Sequence, residues 1–522
     1  MASPRSTVPQ EETPSVRAIL LVGSCAALIF VIQAVLLWNF GIDDVGISYR
    51  YAVHLAQGWG LAWNPGQPPV EGFSNFLWVL ILALGNIFGG DVVIVSKLLG
   101  LLFAVGAIYG IGALSSRLWG SRGYWWLPPM LVAITPEWTA WAMSGLEIAL
   151  YAFFLVLGFA AITRASHPNG LLLATSVCGL ALTRPEGAII GILILIAAAF
   201  NEGNFKSVSA SLRTIRMPLL LLLLVVLGLA AFRRWYFGYF LPNTVHAKFD
   251  PSLPSRMQVL AWLFFCAPFL FGMLWLQKSA ARRRDRVLLF SAAGVAVAQM
   301  AIALPVSPVM YFLHRYQIAF LPLIALLAPA LVIRATARGA KASLLVTLVL
   351  VLWCAHGWPA VIERYRLDRY VYNQQTCAAA RLAQLPGHPT IAIVDAGRIP
   401  FWSELPAIDA WGLCDVEIAR KGFDPSIVLS RRPEVYIMSV DVNRKSKSGR
   451  LDIQAHLGMD IMTTKLPEFS RRYKLWKVCS PGVTPSVGDS TSSYYDYGIF
   501  LDSTWAGLHG LGGRLAHVDW PY

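Results

Sequence analysis

The sequence predicts a polytopic α-helical membrane protein that carries a C-terminal α/β domain outside the cytoplasm. Three observations point to this. The 522-residue chain is 56% hydrophobic and only 14% charged, which is outside the range of ordinary soluble proteins of this size. Its apolar residues gather in runs long enough to cross a bilayer. From about residue 359 the character changes, and short β-like runs (TIAIVDAG, PEVYIMS, YKLWKVC) alternate with helix-like and Gly/Pro-rich segments, as in a small α/β domain.

Residues 1–17 form a polar tail. The run at 18–39 exceeds the roughly 7 to 15 apolar residues of a signal-peptide core, and no small-residue cleavage site follows it, so it reads as an uncleaved anchor. Further apolar runs fall at about 75–90, 92–115, 123–141, 146–163, 170–183, 187–201, 217–235, 257–277, 287–304, 316–334 and 342–358. The run at 75–90, SNFLWVLILALGNIFGG, is short and is followed by Gly89, Gly90 and Asp91 with almost no loop before the next run. Whether it crosses sets the orientation of everything downstream.

The distribution of basic residues decides between the two arrangements, because cytoplasmic loops are enriched in Lys and Arg. If 75–90 does not cross and the N-terminus is cytoplasmic, the cytoplasmic segments hold 16 basic residues and the external loops seven; if it crosses, the split becomes 8 and 15. The first arrangement predicts eleven spans, a first external loop over about 40–91 containing a membrane-lying helix, and residues 359–522 as a periplasmic or extracellular domain.

The net charge of +14 does not indicate nucleic acid. Residues 1–358 hold 24 basic against 12 acidic residues, and residues 359–522 hold 19 against 17. The excess therefore lies in the membrane part, where it serves orientation. Cys25, Cys178, Cys266 and Cys354 sit in apolar runs and read as packing residues. Cys377, Cys414 and Cys479 allow at most one disulfide in an oxidising compartment.

With this topology, polar and charged residues gather at the external ends of the spans. They are Asp43, Asp44, Arg50, His54, Glu71, Glu147, Arg184, Glu186, Asn243, His246, Lys248, His314 and Arg315. A membrane-embedded cleft with cations for a phosphate, apolar walls for a polyprenyl chain and a carboxylate to activate a nucleophile fits a lipid-phosphate substrate. Each residue also has a simpler reading. Arg184, Arg233 and Arg315 fit helix-end anchors, Glu147 fits an N-cap, and His54 and Glu71 fit residues that order the first loop. Trp59, Trp63, Trp78, Trp138 and Trp141 read as an interfacial aromatic belt. Asp43 and Asp44 stand apart, because adjacent carboxylates near lipid repel and are costly without a cation, substrate or proton nearby.

The stretch IDDVGISYRYAVHLAQGWGLAWNPGQPPVEGFSNFLWVLILAL resembles the first external loop of GT-C-fold glycosyltransferases, membrane enzymes that take a sugar from a polyprenyl-phosphate carrier. Within them it is most similar to the group of the mycobacterial terminal β-(1→2)-arabinofuranosyltransferase. The likeness is carried by the Asp pair, SYRYA, WNPG and VEGFSNFLW, then LTRPEG, LPNTVHAKF, HRYQIAFLPL and VDAGRIPFWSELPAIDAWGLCDVEIAR, and runs discontinuously over about 41–420. It implies an inverting glycosyltransferase of a bacterial plasma membrane that moves a sugar, arabinofuranose first, from a polyprenyl-phosphate donor to a cell-envelope glycan acceptor. Asp43 would be the catalytic base and Asp44 its orienting neighbour. Arg184, His246, Lys248, His314 and Arg315 would hold the donor phosphate, and Glu71, Glu147, Glu186 and Asn243 would contact substrate. No cofactor and no metal are expected, since a phosphate leaving group held by cations needs neither. The alternatives are another sugar or acceptor, such as lipopolysaccharide or protein, a lipid-linked-sugar transporter, or a non-catalytic scaffold on this fold. Transport calls for charges midway through spans and an inverted repeat, whereas Lys97 is the one charge placed inside a span.

Overall fold

The computed structural model describes residues 13–121, 123–163, 169–201, 208–249, 253–276, 283–307, 312–443, 452–480 and 495–518. Among the 16 basic residues counted as cytoplasmic, Arg5, Arg122, Arg164, Lys206, Lys278 and Arg282 lie outside the described residues. The chain divides into two compact units. One comprises residues 1–38, 97–227 and 250–361, and the other residues 39–96, 228–249 and 362–522.

Among the described residues, seven helical segments are long and apolar enough to cross a membrane: Val16–Leu36, Val92–Trp119, Ile215–Tyr236, Arg256–Leu276, Asp285–Ala303, Ile318–Thr336 and Ala340–Leu382. Ile148–Ile162, Gly170–Thr183 and Gly187–Phe200 are shorter apolar helices. Leu20, Leu102, Leu224 and Phe264 are all more than half exposed, as expected where hydrocarbon replaces water as the solvent. The chain is a multi-pass membrane protein.

Two expected spans are broken by proline. The run at 123–141 forms Leu127–Ile134 and Pro136–Ala142, with Thr135 extended between them. Proline cannot donate to the helix and disfavours helical geometry in the residue before it. The run at 316–334 is a 3-10 turn, Ile318–Phe320, followed by Leu321–Ala325 and Ala328–Thr336, each of the latter with a proline in its first turn. The belt reading of the tryptophans does not hold for four of the five. Trp63, Trp78, Trp138 and Trp141 are buried, and Trp59 alone is exposed. Cys266 and Cys354 are buried as expected for packing residues, whereas Cys25 is exposed.

In the second unit, helix Val45–Ala56 opens the 40–91 segment and Phe76–Ile87 follows. At 1.5 Å per residue the latter is about 18 Å long, well short of a bilayer core of about 30 Å. It buries Trp78, Val79, Leu82 and Ala83 and exposes Leu80, Leu84 and Ile87. Both faces are therefore apolar.

The C-terminal region forms a six-stranded mixed sheet. Its strands are β1 (Ile391–Ile393), β2 (Ala407–Asp409), β3 (Val435–Asn443), β4 (Asp452–Ala455), β5 (Tyr473–Cys479) and β6 (Asp496–Asp502). The order is β2-β1-β3-β6-β5, with β4 paired to the end of β3. β1 runs parallel to β2 and β3, and β6 runs antiparallel to β3 and β5. Tyr436, Met438 and Val440 alternate along β3 and pack with Phe469, Leu475 and Phe500 to form the core of one face. A disulfide joins Cys377 to Cys479, while Cys414 is free and buried.

Candidate active site

Asp43 sits in the turn that precedes helix Val45–Ala56. Its Oδ2 accepts from the Gly397 amide (2.8 Å), and its Oδ1 accepts from the Arg398 amide (2.9 Å) and from Gln375 Nε2 (2.8 Å). Two glycines make this approach possible. A Cβ on Gly46 would lie 2.3 Å from the Gly397 carbonyl carbon, and one on Gly397 would lie 1.9 Å from the Asp43 carbonyl oxygen. The backbone of the first loop thus lies directly on the 397–398 turn.

Helix Trp358–Leu382 supplies one face of this site. Asp368, Tyr372 and Gln375 recur at helical spacing. Asp368 accepts from the Gly41 amide (3.1 Å) and pairs with Arg398 Nη1 (3.0 Å), and the Arg398 guanidinium lies 5.1 Å from the Tyr372 ring. Gln375 Nε2 also donates to the Tyr497 hydroxyl (3.1 Å), and Tyr495 and Tyr497 both donate to Asp395 Oδ2. Burial, and next the charge of Asp395, push Asp43 up to about 7, against the pull of the Arg398 amide and guanidinium. Burial raises Asp395 as well, and its two tyrosine hydrogen bonds oppose the shift.

Asp44 faces Lys248, with Oδ2 and Nζ 3.6 Å apart and both side chains partly exposed. Lys248 follows the short helix Asn243–Ala247, whose position is set by buried contacts. Asn243 Nδ2 donates to the carbonyls of Gly412 (2.7 Å) and Leu413 (3.1 Å), and the Asn243 amide donates to the Glu71 carbonyl (3.1 Å). Arg233 grips the Glu71 carboxylate through Nε and Nη2 at 2.8–3.0 Å. Asp409 receives the amides of Trp411, Gly412 and Cys414, which shapes the turn that Asn243 grips. Glu71 and Asn243, expected to contact substrate, are therefore committed to holding the segment that carries Lys248. His246 is exposed on the same helix. Arg50 spends its guanidinium on the carbonyls of Trp63, Pro400 and Leu405 and on Asn64.

In the first unit the structure brings together four more of the expected residues. Pro185 holds Arg184 in extended backbone at the end of Gly170–Thr183, and Glu147 stands at the N-cap position of Ile148–Ile162 without a side-chain cap bond. Arg184 Nε lies 3.1 Å from Glu186 and 3.6 Å from Glu147. The guanidinium groups of Arg184 and Arg315 each lie 5.6 Å from the ring of Tyr316, within cation–π range. Gln299 Nε2 donates to Glu186 (3.5 Å) and to the Tyr316 carbonyl (3.1 Å). His314 does not join this cluster. Its left-handed backbone (φ 57°) places the ring among Trp262 and Phe265, and burial depresses it to about 4. Burial thus keeps the ring from carrying the positive charge that would attract a phosphate. Among the described residues no group of three or more His, Cys, Asp and Glu side chains is placed to hold a metal ion.

Sequence reasoning did not single out Asp395, Arg398, Gln375, Tyr495 or Tyr497. The first two lie in VDAGRIPFW, a stretch that carried the family likeness without any residue being assigned a role.

Solved structures share this architecture. ArnT from Cupriavidus metallidurans bound to undecaprenyl phosphate aligns with a TM-score of 0.53 over 82% of this chain and 94% of its own, at 15% identity. The Archaeoglobus fulgidus oligosaccharyltransferase in the apo form aligns at 0.56, 13% identity, over 89% and 80%. Mycobacterial arabinofuranosyltransferase AftD aligns at 0.56, 15% identity, over 94% of this chain and 40% of that one. All three are GT-C-fold glycosyltransferases. The chain has the GT-C fold. Within it, residues 365–497 match a family described as a domain of unknown function, DUF8728. A search of curated proteins finds no match. The GT-C likeness therefore stands on structure, at identities where only the fold is conserved.

Proposed function

We propose that the chain is an inverting GT-C glycosyltransferase that moves a sugar from a polyprenyl-phosphate donor to an acceptor hydroxyl. The observation that carries this reading is the Asp43 carboxylate. It is held by three donors, its affinity for a proton is raised to near neutrality, and among the described residues one Oδ2 lone pair is left uncommitted. A general base works best when fixed in place with a pKa near the working pH. Asp43 takes the acceptor proton as that oxygen attacks the anomeric carbon. The bond from anomeric carbon to phosphate oxygen breaks, and polyprenyl phosphate leaves with the electron pair. Lys248, beside Asp44, is assigned to the charge that develops on the leaving phosphate. The cluster of Arg184, Arg315, Glu147 and Glu186 is assigned to donor recognition on its chemistry, since guanidinium groups suit phosphate and carboxylates suit sugar hydroxyls.

Arabinofuranose is the favoured sugar and a cell-envelope glycan the favoured acceptor, on the first-loop likeness and the AftD alignment. The undecaprenyl phosphate bound to ArnT supports a polyprenyl carrier. We place the chain in a bacterial plasma membrane, with its N-terminus cytoplasmic and residues 359–522 outside. The distribution of basic residues, the short helix Phe76–Ile87 and the Cys377–Cys479 disulfide support this orientation, because disulfides persist in oxidising compartments. The test is to supply the purified chain with a panel of polyprenyl-phosphate sugars and to measure released polyprenyl phosphate. Release by wild type and its loss in Asp43→Asn is the expected result. Undiminished turnover in Asp43→Asn overturns the assignment of the base.

A further inference from the structure

We propose that residues 365–497, the segment matched as a domain of unknown function, hold and tune the Asp43 base: Gln375, Gly397 and Arg398 fix its carboxylate, and Asp395 is the positioning residue that sets its charge. This rests on Asp43 being the base. It gives the external domain a role in the transfer chemistry, beyond reading an acceptor.

Three observations converge. First, every hydrogen bond to the Asp43 carboxylate described above comes from this segment. Second, the contact is built into both backbones, since Gly46 on the first loop and Gly397 on the segment each leave no room for a Cβ. Third, Asp43 and Asp395 are joined by an ordered relay. Gln375 Nε2 donates both to Asp43 Oδ1 and to the Tyr497 hydroxyl, and Tyr497 donates onward to Asp395, which Tyr495 also serves. With this polarity both carboxylates are acceptors. The charge of Asp395 makes Asp43 more ready to take up a proton.

The other charged groups around the pair are accounted for. Asp44 lies on the same turn and faces Lys248. The Arg398 guanidinium is paired with Asp368. His456, ion-paired with Asp441, and Asp460, hydrogen-bonded to Ser439, lie on the Asp395 side. The carboxylate that acts on Asp43 most strongly is therefore Asp395, ahead of its sequence neighbour Asp44.

Infrared difference titration of the full chain in detergent tests this without requiring turnover. The carboxyl band that disappears in Asp43→Asn should titrate near neutrality in wild type and about one pH unit lower in Asp395→Asn. Asp395→Glu, which keeps the charge, should restore the wild-type midpoint, an outcome that a merely structural role does not produce. Tyr497→Phe breaks the relay while keeping the ring, and serves where Asp395→Asn does not fold; its midpoint should fall as well. An unmoved Asp43 midpoint in the folded variants overturns the inference. Absence of sugar transfer with the midpoint shift intact overturns the proposed function and, with it, the base, and leaves only the hold of residues 365–497 on the Asp43 carboxyl.

Discussion

Gly397 lies so close to Asp43 that a Cβ there would stand 1.9 Å from the Asp43 carbonyl oxygen and 2.5 Å from its Oδ2. Backbone cannot yield to such a contact, so Gly397→Ala must displace the first loop or the 397–398 turn. Misplacing a reacting group by about 1 Å costs on the order of 100-fold in rate. Gly397→Ala is expected to retain its disulfide and its fold while transfer falls by about that factor, measured as polyprenyl phosphate released.

A base raised to about 7 must be deprotonated to act. The kcat/KM of transfer should therefore fall tenfold per pH unit as pH drops below about 7 and level off above it. A pH profile on one donor and one acceptor checks this, and a limb near pH 4 would place the base elsewhere.

The same shifts predict an unusual stability profile. Burial raises Asp43, Asp409 and Asp460 from 3.8 to about 7 each. Between about pH 4 and 7 the folded chain keeps protons that the unfolded chain has lost, so stability falls as pH rises through that window. Thermal unfolding in detergent should give a lower Tm at pH 8 than at pH 5. Asp460→Asn, which keeps a neutral group at that site, should flatten the dependence.

Glu71 and Arg233 form a buried forked pair. Glu71→Gln leaves the guanidinium buried without its counter-charge, a loss of about 3–5 kcal/mol, and loosens the segment leading to Lys248. Replacing both residues with Met should recover much of the Tm lost in the single variant, without restoring full transfer if Lys248 has shifted.

Cys377 and Cys479 close a loop across a sequence separation of 102. Chain-entropy reasoning assigns a cross-link of about that length close to 5 kcal/mol. Cys377→Ser with Cys479→Ser should lower the Tm markedly, and reductant should lower the wild type toward the same value. Both cysteines should resist alkylation until reduced.

Much of the architecture was legible without coordinates. Membrane residence, the apolar runs, the short helix near 75–90 and the α/β character of the tail follow from local composition and period. Each is dictated by how a single segment meets lipid or water. The proline breaks at 136 and beyond 321 are local effects too, yet the runs at 123–141 and 316–334 were expected to continue through them. Asp43 and Asp44 also stood out in the sequence, because two adjacent acids at the mouth of an apolar run are costly wherever they fold. Tertiary structure alone decided which groups answer them. Asp395, Gln375 and Tyr497 lie more than 300 residues along the chain from Asp43, and nothing in their local sequence marks them as its partners. Likewise, only the folded chain brings Arg233 to Glu71 and the 412–413 carbonyls to Asn243, and only it packs the His314 ring among Trp262 and Phe265. A hydrogen bond or ion pair saturates the group that forms it, and which partner claims a side chain is settled only when the folded backbone brings the two within about 3 Å.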